Sequence, residues 1–247
     1  MTAADTAAPP QKYPARVFFI EDIAADTRLL RLELDNGRKL PFRAGQYALL
    51  TAADVEPRAF SIASAPAAPY LEFHVKNSGH GFSAFAFNNL AIGSPVTVDA
   101  PWGDHFWRPS ARPLLALAGG VGIAPLKAIV EAQLEHARDA KTAAPVHLYW
   151  AVRDETHLYL DHFFLSLAEA HPAFAYTPII AHADTTHAEG AGRRSGYIGP
   201  AVMADFASLA GHNIYLAGPA PMVNATLPLL LERGAEKDFI FSDAFGG

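Results

Sequence analysis

Residues 114–130 read LLALAGGVGIAPLKAIV. An apolar run of strand length is followed by three glycines in four positions, a proline, and then apolar residues at helical spacing. Strand, glycine turn and helix in that order make the unit from which parallel sheets are built, and the turn falls where such sheets bind phosphates. Glycine also serves tight turns and close packing, so the stretch alone leaves both a phosphate loop and a structural turn open.

Downstream the same grammar repeats. LLALA, VHLYWAV, FAYTPIIA, NIYLAG and FIFSD are apolar runs of strand length, and PLKAIVEAQLEHARDA, LYLDHFFLSLAEA, GPAVMADFASLA and PMVNATLPLLLERG between them suit helices. This predicts a parallel sheet wrapped by helices, with Pro228 kinking the last helix or delaying its start. YLAGPAPMV supplies a second turn of small residues, in which Ala217, Gly218 and Pro219 end a strand. Two such turns at one sheet edge leave room for a flat ring.

Upstream of WRPSARP the pattern changes. LRLELD sets Leu30, Leu32 and Leu34 opposite Arg31 and Glu33, and LEFHVK sets Leu71, Phe73 and Val75 opposite Glu72, His74 and Lys76. This period of two, with turn formers between the runs, predicts a small antiparallel barrel. One helix is expected at 83–90, capped by Ser83. The chain therefore reads as two domains, an antiparallel β-barrel over 15–110 and an α/β parallel-sheet domain over 111–247, preceded by a disordered tail over 1–14.

Composition narrows the function. Of 247 residues, 51% are hydrophobic, enough for packed cores, and the net charge of −6 offers no general attraction to nucleic acid or to an anionic membrane. The chain has no cysteine, which excludes disulfides, cysteine-ligated zinc and any iron–sulfur cluster held by the chain itself. His157 and His162, like His182 and His187, are five apart, which does not give the same-face spacing of a helical metal pair. A metal is not expected. No apolar run reaches the roughly 18 residues of a spanning helix, and the start lacks a leader pattern, so the soluble cytoplasm is the expected compartment. There is no G-x-S-x-G elbow for a serine hydrolase.

Three segments, RAFS at 58–61, GGVGIAP at 119–125 and YLAGPAPM at 215–222, follow one another in the order found in the ferredoxin-NADP reductase superfamily. The chain resembles its NAD(P)H-flavin reductase and oxygenase-reductase branches over roughly residues 15–245. The resemblance implies FAD in the barrel, with FMN or riboflavin as alternatives, and NAD(P)H on the α/β domain as hydride donor. RAFS is similar to the flavin signature R-x-Y-S, with phenylalanine for tyrosine. Arg58 would then pair with a flavin phosphate, Phe60 pack on the flavin, and Ser61 bond near N5. HVKNSGHGFS, from His74 through Lys76 to Gly81, Phe82 and Ser83, resembles the second flavin element, whose helix N-terminus would meet the pyrophosphate.

Gly119, Gly120, Gly122 and Pro125 would receive the coenzyme pyrophosphate. Ala217, Gly218, Pro219 and Met222 stand where the family has C-G-P-x-x-M, and alanine in place of cysteine takes a thiol out of the mechanism. Arg153 would contact the nucleotide, while Arg193 and Arg194 either meet a 2′-phosphate or are solvated. The ending FSDAFGG resembles the family's D-x-F terminus, making Phe245 a candidate gate over the flavin. The implied activity is hydride transfer to flavin, with electrons passed to a ferredoxin or oxygenase component. The alternatives are release of reduced free flavin and a nonenzymatic nucleotide-binding subunit.

Overall fold

The computed structural model describes residues 9–139, 144–181 and 192–245, with the side chains of Asp139 and Phe245 outside that description. The chain forms two compact units that part after Trp107, with Lys127–Ile129 grouped with the first.

The first unit holds β1 (Gln11–Ala24), β2 (Thr27–Leu34), β3 (Tyr47–Thr51), β4 (Arg58–Ser61), β5 (Leu71–Lys76) and β6 (Pro95–Trp102), with α1 (Gly81–Asn88) between β5 and β6. The strands pair antiparallel in the order β4-β3-β6-β1-β2-β5. Ala63, just beyond β4, donates its N–H to the Glu72 carbonyl on β5 at 2.8 Å, bringing the two edge strands together and nearly closing the barrel. Leu30, Leu32, Leu50, Ile62, Phe73, Val75, Phe82 and Val98 fill it.

Closure corrects two expectations. β1 begins at Gln11, so residues 11–14 belong to the barrel and not to a tail. β5 is buried on both faces from Leu71 to Val75, so the polar face inferred from alternation does not meet solvent. Glu72 lies inside it beside His74, at 3.4 Å, and accepts from Arg31 Nε at 2.8 Å. Burial opposes its charge, but these partners outweigh burial and hold the carboxyl far below the usual range.

The second unit is a parallel sheet in the order β10-β9-β8-β7-β11-β12, comprising β7 (Leu114–Gly119), β8 (Val146–Val152), β9 (Phe174–Ile180), β10 (Arg194–Ser195), β11 (Asn213–Pro219) and β12 (Ile240–Phe245). α2 (Ile123–Asp139), α3 (Asp161–Ala170), α4 (Ile198–Asp205) and α5 (Ala220–Glu232) connect them. Strand order reverses between β7 and β11, the place where open α/β sheets bind ligands. α5 runs unbroken through Pro228. The strand runs read from sequence all appear, whereas β10 is too short for periodicity to reveal.

At the other end of the sheet, His147 stacks on Tyr149 with ring centroids 4.2 Å apart and bonds Thr177 Oγ1 at 2.9 Å. Burial pushes its imidazole down to about 4, against the opposing pull of Asp205. A histidine kept neutral by folding favours the folded state above its unfolded pKa near 6.5, and that advantage fades as pH falls toward 4. Stability of the second unit is expected to fall across that window by up to about 2–3 kcal/mol. Urea midpoints measured from pH 7 to 4 check this. His147→Gln should flatten the slope, and a midpoint independent of pH would contradict it.

Candidate functional site

On the barrel, Arg58 opens β4 and lies against the start of α1. A Cβ on Gly81 would stand 3.1 Å from Arg58 Cδ, so the glycine lets the guanidinium stem cross the helix N-terminus. His80 precedes the helix. Its Nδ1–H donates to the Ser78 carbonyl at 2.9 Å, which leaves Nε2 to accept from Arg58 Nη1 at 2.5 Å. The first-turn N–H groups of α1 have no intrahelical partner, and no side chain at the N-cap bonds them. A cation held beside these amides fits a phosphate.

Other residues expected around the flavin serve this frame in a different way. Phe82 is fully buried, 5.7 Å from the ring of Phe60, so it belongs to the core. Ser83 does not cap a helix starting at its own position. It lies inside α1, with Oγ 2.6 Å from Ser78 Oγ and donating to the His80 carbonyl at 2.9 Å, and so braces the loop. His74 has its side chain buried beside Glu72, and Lys76 reaches Asp26 at 3.5 Å on the surface. The His74 side chain is thus closed off from a surface ligand, whereas the Lys76 side chain stays 59% exposed. Phe60 and Ser61 are both half-exposed at the end of β4, where the inside-outside alternation lapses.

On the parallel sheet, the turn of the opening stretch packs into the second turn, at 217–222. A Cβ on Gly122 would stand 2.2 Å from the Ala217 carbonyl oxygen, and one on Gly119 would stand 2.4 Å from Met222 Sδ. A Cβ on Gly218 would stand 3.0 Å from the Gly119 Cα. These three positions need glycine because the chain itself fills the space a side chain would take. Gly120 differs: it has φ +52 and nothing within 4 Å of its missing Cβ. Its carbonyl accepts from the indole N–H of fully buried Trp150 at 2.9 Å, so β8 fixes the turn from below. α2 begins at Ile123, with Pro125 in its first turn rather than at its start, where a missing N–H costs no bond. The open face of Gly120 at a helix N-terminus fits a dinucleotide pyrophosphate.

Ala217 is buried. Arg153 extends from the end of β8 with its side chain 66% exposed, 3.3 Å from Asp154. Phe245 is paired by its backbone with Pro219 in β12, and its side chain, the proposed gate, lies outside the described residues. His80 and Trp150 were missed. A histidine one residue before a helix carries no distinctive signal, whereas a tryptophan in a buried strand signals a nearby acceptor, since its N–H must be satisfied.

Two family patterns match the two units. The Oxidoreductase FAD-binding domain matches residues 14–107, and the Oxidoreductase NAD-binding domain matches residues 116–227. The NAD(P)H-flavin reductase of Aliivibrio fischeri is 33% identical over 239 residues, covering 93% of this chain and 97% of the relative. The chain belongs to the ferredoxin reductase family. It is an NAD(P)H-dependent flavin oxidoreductase with FAD- and NAD-binding domains. A ferredoxin--NAD(P)(+) reductase component of naphthalene 1,2-dioxygenase/salicylate 5-hydroxylase systems from Ralstonia sp. is 32% identical over 241 residues, covering 94% of this chain and 70% of the relative. The solved structure of a cytochrome P450 reductase from Amycolatopsis superposes with a TM-score of 0.87 at 30% identity, over 99% of this chain and 73% of that one. In ferredoxin reductase terms, the Arg58 corner belongs to the FAD-binding unit and the Gly120 turn to the NAD-binding unit.

Proposed function

We propose that the chain takes reducing equivalents from NAD(P)H through FAD and delivers them to a separate protein acceptor, a ferredoxin or an oxygenase component. The observation that carries this reading is the Arg58–His80 pair set across the amides of α1, a phosphate cradle suited to keeping flavin resident. The Ralstonia relative, a reductase component of oxygenase systems, supports the choice of acceptor. When bound, flavin supplies a two-electron acceptor that can release electrons singly. Arg58 supplies charge and His80 aims it, Ser61 offers a hydroxyl toward the flavin ring, and Gly120 admits the dinucleotide. The absence of cysteine agrees with a reducing compartment such as the cytoplasm. Among the described residues no helix is long and apolar enough to cross a membrane.

Arg58→Ala is expected to weaken flavin binding by about 1.5–3 kcal/mol, roughly 10- to 150-fold, with the fold intact. Equilibrium dialysis against FAD measures this, and a parental affinity would remove Arg58 from the phosphate site. The end-to-end match to the Aliivibrio flavin reductase favours a second reading, in which flavin is a substrate released when reduced. Purification separates the two. A stoichiometric yellow protein supports resident FAD, and a colourless one that oxidises NAD(P)H only with added flavin supports release.

A further inference from the structure

The basic residues at the carboxyl edge of the parallel sheet are already matched by carboxylates. In nucleotide-binding α/β sheets the tip of the strand next to the glycine turn faces the adenosine ribose, where an acidic group suits a free 2′-hydroxyl and a basic one a 2′-phosphate. Here that strand is β8, and Arg153, Asp154 and Glu155 follow it directly. Asp154 is pinned. Its Oδ1 accepts from Thr156 N at 3.1 Å and His157 Nδ1 at 2.8 Å, while Oδ2 faces Arg153 Nε at 3.3 Å.

Arg193 and Arg194, the sequence candidates for a 2′-phosphate, stand at the neighbouring edge beside the end of β9. Arg193 reaches Asp161 at 2.8 Å and Glu155 at 3.2 Å. Asp161 is itself buried and takes a hydrogen bond from Tyr176. Arg194 holds both oxygens of Asp205, at 2.7 and 2.9 Å. Three carboxylates, Asp154, Glu155 and Asp161, thus face two guanidiniums at this edge, while the Arg194–Asp205 pair lies beside Tyr149 and His147. A dianionic 2′-phosphate arriving here would have to break an ion pair and sit among the displaced carboxylates.

We infer that the coenzyme is NADH, selected against NADPH by the carboxylates Asp154, Glu155 and Asp161, which occupy the arginines a 2′-phosphate would need. This rests on the reading of the chain as an NAD(P)H-dependent flavin oxidoreductase. It goes further by naming the coenzyme and the residues that choose it.

The test is steady-state reduction of an added artificial acceptor by the intact, FAD-supplemented protein with each coenzyme. The parent should prefer NADH in kcat/KM by about tenfold or more. Glu155→Gln, at an exposed carboxylate, should free part of Arg193 and lower that preference through a smaller KM for NADPH, with flavin content and kcat for NADH unchanged. Asp154→Asn provides a second variant expected to move the ratio in the same direction. A parent that uses NADPH as well as NADH, or a ratio unmoved by both substitutions, would overturn the inference while leaving the enzymatic reading in place. No reduction by either coenzyme would overturn that reading itself, and the inference with it.

Discussion

Gly122→Ala is expected to destabilise the second unit by about 3 kcal/mol or more, lowering its melting temperature by roughly 6–12 °C. The added methyl would lie 2.2 Å from the Ala217 carbonyl oxygen and 2.5 Å from its carbon, both backbone atoms that no rotamer change can move. The turn after β7 or the end of β11 must shift, and the strand-order reversal between them opens. Gly120→Ala sits two residues away and should behave differently. Its Cβ meets no protein atom, so the folded state bears only the cost of a left-handed alanine, about 1–2 kcal/mol. The methyl would instead project into the open space proposed for the coenzyme. Gly120→Ala should therefore raise the KM for NAD(P)H several-fold at parental flavin content. Calorimetry and coenzyme titration of the two variants side by side decide it. Equal melting temperatures would refute the packing argument.

Ser61→Ala carries the other large effect. If its hydroxyl is the donor that stabilises the flavin ring as charge arrives, removing it should slow reduction by NAD(P)H about 10²- to 10³-fold while flavin stays bound. Ser61 is half-exposed at the end of β4, and among the described residues no group takes its hydroxyl. The side chain is therefore available without first breaking an internal bond. Stopped-flow bleaching at matched flavin occupancy measures the rate, and bleaching at the parental rate would take Ser61 out of the mechanism.

The second unit was legible because buried parallel strands are apolar on both faces and announce themselves as continuous runs. The barrel was legible as a class but not in detail. LEFHVK alternates as though half of it met water, yet the bond from Ala63 to Glu72 closes the barrel and takes His74 inside. A closure made by one backbone group just past β4, across the eight residues between Ala63 and Glu72, leaves no trace in local period. The partition of duties around α1 was equally hidden. GHGFS looks like a row of ligand contacts, and folding turns Phe82 inward and spends Ser83 on the loop, leaving Arg58, His80 and the helix amides to face outward. Paired arginines likewise look like an anion site until their carboxylate partners come into place from residues 155, 161 and 205.

The chain has three tryptophans, and Trp150 is the one in the second unit. Its indole N–H is tied to the Gly120 carbonyl, the same residue whose other side is open. The turn therefore carries a built-in optical label. With Trp102 and Trp107 replaced by phenylalanine, the emission of a single indole would follow this one peptide group, in a protein otherwise free of extrinsic dye.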